Sequence, residues 1–149
     1  MMQRSMFTVI AFVAGCTRRS ARVRLLPALI ITSLLLSACP EDPLGPDNRM
    51  ALIAFGHCNY SQALRLTDLA IAGGDQHHIQ RAWMLKVAIL RDQGKPAAAE
   101  ALYPELETAW QAAKKSALKA SRRERDIDIL IDIARNERRA NGLATDCRP

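Results

Sequence analysis

The chain has 149 residues, with 21 Lys and Arg against 15 Asp and Glu, a formal net charge of +6 and a pI near 9.5. The excess is uneven: Arg4, Arg18, Arg19, Arg22 and Arg24 precede residue 38 and no acidic residue does, so the 111 residues from 39 onward hold 16 bases against 15 acids. A near-neutral body excludes nucleic acid as a partner inferred from the alkaline pI, and about 110 residues make one core but not two.

The first 38 residues carry a basic stretch, Arg18, Arg19, Arg22 and Arg24, and then the 13-residue apolar run from Leu25 to Ser37. A spanning helix needs about 20 apolar residues, so the run reads as the core of an export signal instead. It ends in Leu36-Ser37-Ala38-Cys39, which resembles the lipobox of bacterial lipoproteins. That resemblance implies a diacylglycerol on the Cys39 thiol and cleavage that leaves Cys39 as an acylated N-terminus. The expected place is the bacterial cell envelope, lipid-anchored to the outer membrane and facing the periplasm. No cofactor is expected beyond that covalent lipid. An ordinary signal peptide with a chance Cys is the alternative. Val13-Ala14-Gly15-Cys16 is a second box of the same kind, but cleavage there would leave the longer apolar run at the front of the mature protein. A start of translation at Val23 would give a compact leader and remove that ambiguity. The expected organisation is a signal peptide over 1–38, a lipidated Cys and Pro-rich tether over 39–47, and a helical domain over 48–149.

Pro40, Pro43 and Pro46 keep the tether extended. Asp47 is placed to cap a first helix over 48–57, with Met50, Ala51, Ile53, Ala54 and Phe55 as its apolar contacts. Asn59 and Gln62 form a capping-box pattern opening a second helix, which ends at Gly73-Gly74. Asp75 caps a third, over 76–93, whose only polar residue between Ala82 and Leu90 is Lys86, so packing on two sides is expected. Gly94-Lys95-Pro96 restarts the chain into a fourth helix with the stripe Ala99, Leu102, Tyr103, Leu106, Ala109, Trp110 and Ala113, which Pro104 should kink or divide. Ser121 and Glu124 pattern as a capping box for a last helix to Ala140, with Ile127, Leu130, Ile131 and Ala134 inward. The fold class is all-α.

Two cysteines remain after Cys39, namely Cys58 and Cys147. In an oxidising periplasm an even pair is most simply a disulfide, worth about 4 kcal/mol for a loop of this length in the chain-entropy model. Buried free thiols are one alternative. A metal site with His57 is another, and it lacks further ligands at sensible spacing.

Ala63 and Ala99 hold matching places after a turn, 36 residues apart. The second unit resembles a tetratricopeptide repeat: Trp83 and Leu90 on its first helix, Gly94 at the turn, Ala99 where the helices touch and Tyr103 beyond. Lys86 and Pro104 depart from that pattern. The resemblance covers residues 48–112 and implies a short antiparallel helix-pair solenoid of about two repeats, closed by the last helix as a cap, with binding on a face or groove.

Catalytic signals are thin. His77 and His78 open a helix as solvated first-turn residues, and adjacent positions do not share a helical face. No Ser/His/Asp set, phosphate loop or Cys-x-x-Cys pair is legible. Asp128 and Asp132 share a face and pattern as a solvated ladder with Glu124 and Arg135. The charge asymmetry lies in Lys114, Lys115, Lys119, Arg122, Arg123 and Arg125, opposed only by Glu124, with Arg135, Arg138 and Arg139 as a smaller cluster. It is either a solvated helix junction or a contact for an acidic partner or anionic headgroups. The expected function is a non-enzymatic, membrane-anchored adaptor for another cell-envelope protein, with no metal and no nucleic acid. A pilotin-like lipoprotein that assists an outer-membrane secretion or pilus channel is the alternative.

Overall fold

The computed structural model describes residues 42–147; the lipobox, Cys39 and the two candidate leaders lie outside them. Six helices follow one another: α1 Pro46–Gly56, α2 Tyr60–Gly73, α3 Gln76–Asp92, the single turn α4 Pro96–Glu100, α5 Tyr103–Lys114 and α6 Ala120–Ala140. No strand occurs among the described residues, and the domain is all-α as expected.

Helix α3 is the centre of the molecule and packs against all five others. Ala82, Met84, Leu85, Val87, Ala88 and Ile89 are all buried, which is why its sequence is apolar around most of its circumference. The pairs α1–α2 and α3–α4/α5 are hairpins with α2 against α3, and α6 lies across α1 and α3, the first helices of the two pairs. The last helix therefore covers an apolar face, and that face is the one these two helices share. Ala63 and Ala99 are fully buried and allow close helix approach. At the α1–α6 crossing Gly56 does the same, because a Cβ there would sit 2.7 Å from Cγ of Glu137.

Three turns share one chemistry. After α3, the amide of Lys95 donates to Leu90 O and that of Gly94 to Arg91 O; after α6, Leu143 donates to Arg138 O and Gly142 to Arg139 O. These are paired C-terminal bonds around a left-handed residue, and the glycines have φ of 74° and 69°. After α1 the same bonds run from Asn59 to Ala54 O and from Cys58 to Phe55 O, but the left-handed residue is Cys58, with φ 60°. Its sulfur bonds Cys147, itself at φ 52°, closing the disulfide that ties the tail to the first turn with Cα atoms 5.4 Å apart.

Asn59 caps α2 by accepting from the Gln62 amide, and Asp75 caps α3 through the His78 amide. Pro104 divides the fourth helix into α4 and α5. Other expectations are corrected. Helix α1 begins at Pro46, two residues earlier than expected, and its cap position is Gly45, so Asp47 lies inside the first turn. Proline suits a first helical position, and upstream the Asp42 side chain accepts from the Leu44 amide. Met50 and Ile53 are exposed, and Asn48 is buried in their stead, because the inward phase of α1 runs through 48, 51 and 55. Its side-chain amide donates to Leu44 O and His78 O. Helix α6 starts at Ala120 with Lys119 at the cap and no side-chain cap bond. Ser121 therefore caps nothing, and Glu124 bonds Arg91 instead.

Candidate functional site

The six-residue basic cluster divides in two. Arg123 lies 3.8 Å over the Tyr103 ring and bonds Glu107 at 2.8 Å and Glu124 at 3.2 Å. Arg122 stacks 4.9 Å over Trp110 and reaches Asp126 at 3.4 Å, and Arg125 pairs with the same carboxylate at 3.1 Å. Arg123 belongs to helix packing and Arg122 lies half-exposed over a core ring, whereas Arg125 meets only its own helix. Trp110 is buried in the core, as expected. Lys114, Lys115 and Lys119 are exposed. The turn that holds them is fixed: Lys115 ends α5 in the left-handed region with its amide on Gln111 O, and Leu118 is buried in the core cluster.

The smaller cluster separates further. Arg139 meets Asn136 at the surface. Arg135 reaches Asp92 at 3.3 Å. Arg138 has no solvent exposure at all, and its guanidinium meets Asp92, whose side chain is 1 % exposed, at 2.7 Å. The same guanidinium donates to Phe55 O and Thr145 O and lies 5.1 Å over the Phe55 ring. Tyr60 donates its hydroxyl to Asp92 at 2.9 Å. Burial, then the hydrogen bond to and charge of Asp92, push the Tyr60 phenol up to about 12. A charge pair this deep holds only when most of its lone pairs and donors are met; α1, α2, α3, α6 and the tail all contribute, and Arg138 Nε is left without a partner among the described residues. Sequence reading missed it, although Arg138 continues the stripe Ile127, Ile131, Ala134 and Asp92 continues Leu85, Ala88 and Ile89.

An open cleft of about 790 Å³ borders this network, lined by Tyr60, Arg91, Asp92, Lys95, Arg135 and Cys147 among others. Arg91 holds Glu124 and the Tyr103 hydroxyl at 2.6 Å each and lies 3.7 Å from Asp128. Burial favours a protonated Glu124, but the hydrogen bonds from Arg91 and Arg123 outweigh it and lower the carboxyl below its usual range. The expected carboxylate ladder is therefore replaced: Glu124 and Asp128 face Arg91 on α3, and Arg135 faces Asp92. His77 is exposed, whereas His78 is only 22 % exposed in its side chain and lies against Gly45, so the first-turn pair is not uniformly solvated.

A second cleft, of about 290 Å³, runs between α1, α3 and α6 and is apolar, with Leu44, Leu52, Met84, Leu85, Ile129 and Leu130 in its lining. Met50 and Ile53 on α1 and Ile129 and Ile133 on α6 are large exposed apolar residues. Among the described residues, no three His, Cys, Asp or Glu are grouped as metal ligands, and no helix is long and apolar enough to cross a membrane. No protein-family model, curated protein or solved structure matches the chain.

Proposed function

We propose that this protein is a lipid-anchored bacterial envelope lipoprotein that acts as a non-catalytic adaptor for another envelope protein. The tetratricopeptide-like reading fits two helix pairs, with the inner face taken by α6. The observation that carries the adaptor role is the apolar cleft between α1, α3 and α6, with exposed Ile129 in its lining. Contiguous exposed apolar surface marks a contact site, and a seam between helices accepts an apolar helix or strand edge of a partner. The anchor rests on the resemblance of Leu36-Ser37-Ala38-Cys39 to a lipobox. Cys39→Ala should abolish the acyl mass that the protein carries at residue 39. A photo-crosslinker at Ile129 in cells should give discrete adducts that Leu130→Arg removes. Adducts unchanged by Leu130→Arg would overturn the adaptor site.

A further inference from the structure

Asp42 is the first described residue, and Lys114 of the lysine turn lies at the same end. Asp42 and Pro43 line one hollow together with His77, His78, Arg81 and Lys114, and Leu44 shares the apolar cleft with Asp126 near the start of α6. Three residues of extended chain reach about 10 Å, so Cys39 is held within that distance of Asp42. A lipid there brings this end of the domain to the membrane, wherever the rest of the chain faces.

Most of the carboxylates at this end have partners among the described residues, and the three lysines have none. Asp42 bonds the Leu44 amide and Arg49. Asp75 accepts from the His78 amide and lies 3.5 Å from its ring. Glu107, which shares a hollow with Lys115, bonds Arg123, and Asp126 bonds Arg122 and Arg125. These four carboxylates are engaged and Asp47, in the neighbouring hollow, is in no salt bridge, while Lys114, Lys115 and Lys119 make none among the described residues. Buried Leu118 fixes the turn, so the three ammonium groups share one end of the molecule without a folding role.

From this geometry we infer that the turn over 114–119 is a second membrane contact, seated on anionic phospholipid headgroups of the bilayer that holds Cys39. The inference rests on the lipid-anchor reading. Lysines beside an anionic bilayer act as point charges on phosphate, and one lipid signal combined with a basic patch holds a protein better than either alone. The patch would also orient the domain, leaving the opposite end, with the disulfide and the polar cleft, away from the bilayer.

The test uses protein purified from membranes, with its intact mass reporting the lipid. On vesicles of phosphatidylcholine with added phosphatidylglycerol, amide hydrogen exchange at 115–119 should slow by roughly tenfold, an effect removed by molar salt. Pure phosphatidylcholine should give no slowing. Lys114→Gln/Lys115→Gln/Lys119→Gln, with unchanged circular dichroism, should lose the protection. Unacylated Cys39→Ala protein should cosediment with the anionic vesicles, and the triple variant made in it should bind on the order of 100-fold more weakly, about fivefold per lysine. Equal exchange on both vesicle types, or protection that survives the triple variant, overturns the inference, as does protection that appears only with a second protein. An intact mass without lipid defeats the anchor reading. Cosedimentation of that protein then decides the headgroup contact, which absence of binding would end.

Discussion

At the start of α6, Arg122 and Arg125 stand in solvent with Asp126 between them. Further along the same helix Arg138 is enclosed against Asp92, Tyr60 and the carbonyls of Phe55 and Thr145. Both regions read as basic clusters, and neither composition nor local charge separates them. Helical phase does. Arg138 stands seven residues beyond Ile131 and four beyond Ala134, on the inward line, whereas Arg122 and Arg125 lie off it. A surface pair contributes little because water already solvates both charges. A buried pair becomes indispensable once formed, because either partner alone is a charge without solvent.

The largest expected effect is that of opening the disulfide. Cys58→Ala/Cys147→Ser should lose about 4 kcal/mol, while Cys58→Gly/Cys147→Ser should lose about 1 kcal/mol less, since glycine accepts the left-handed φ of 60° at residue 58. The next effect separates the two cases. Arg138→Ala removes the 2.7 Å partner of Asp92, leaving that carboxylate only the Tyr60 hydroxyl and Arg135, and should cost about 3 kcal/mol in denaturant unfolding. Asp92→Leu combined with Arg138→Met should recover most of that loss, and failure to recover would show that packing rather than the stranded charge sets the cost.

A pH measurement sharpens the buried side. The folded Tyr60 phenol is raised to about 12, against about 10 in the unfolded chain. Its contribution to stability is therefore complete below pH 10 and is lost as pH rises toward 12. Only two tyrosines are present, so absorbance at a phenolate wavelength should show a step near 12 that Tyr60→Phe removes. The smallest effects belong to the exposed side. Arg125→Gln should change stability by no more than about 0.5 kcal/mol, and Lys114→Gln by a similarly small amount. A cost above about 1 kcal/mol at Arg125 would erase the contrast between the two ends of α6.

Legibility followed how local each signal was. The Asn59 and Asp75 caps, the Gly94 turn and the break at Pro104 are readable because each acts within a few residues. Asp47 does not cap α1, because Pro46, preset for a first helical position, starts the helix one residue ahead of it and leaves Gly45 at the cap. Met50 and Ile53 were placed inward on hydrophobicity alone, while the structure buries Asn48, whose amide meets carbonyls from two separate segments. Ser121 and Glu124 had the spacing of a capping box, but Arg91 and Arg123 hold that carboxylate, and α3 is distant in sequence.

The sequence by itself determined an all-helical body, its turns, the cysteine pair available for a disulfide and the near-neutral charge of that body. Those properties follow from backbone preference, periodicity and counting, which need no partner element. The tertiary structure decided which charges are buried, which are paired and which are left to solvent. It alone placed Lys114 beside Asp42 and drew Arg138 and Asp92 together from separate helices. Those outcomes depend on which helices become neighbours, and α6 meets α1 and α3 only after the chain has folded back across both pairs.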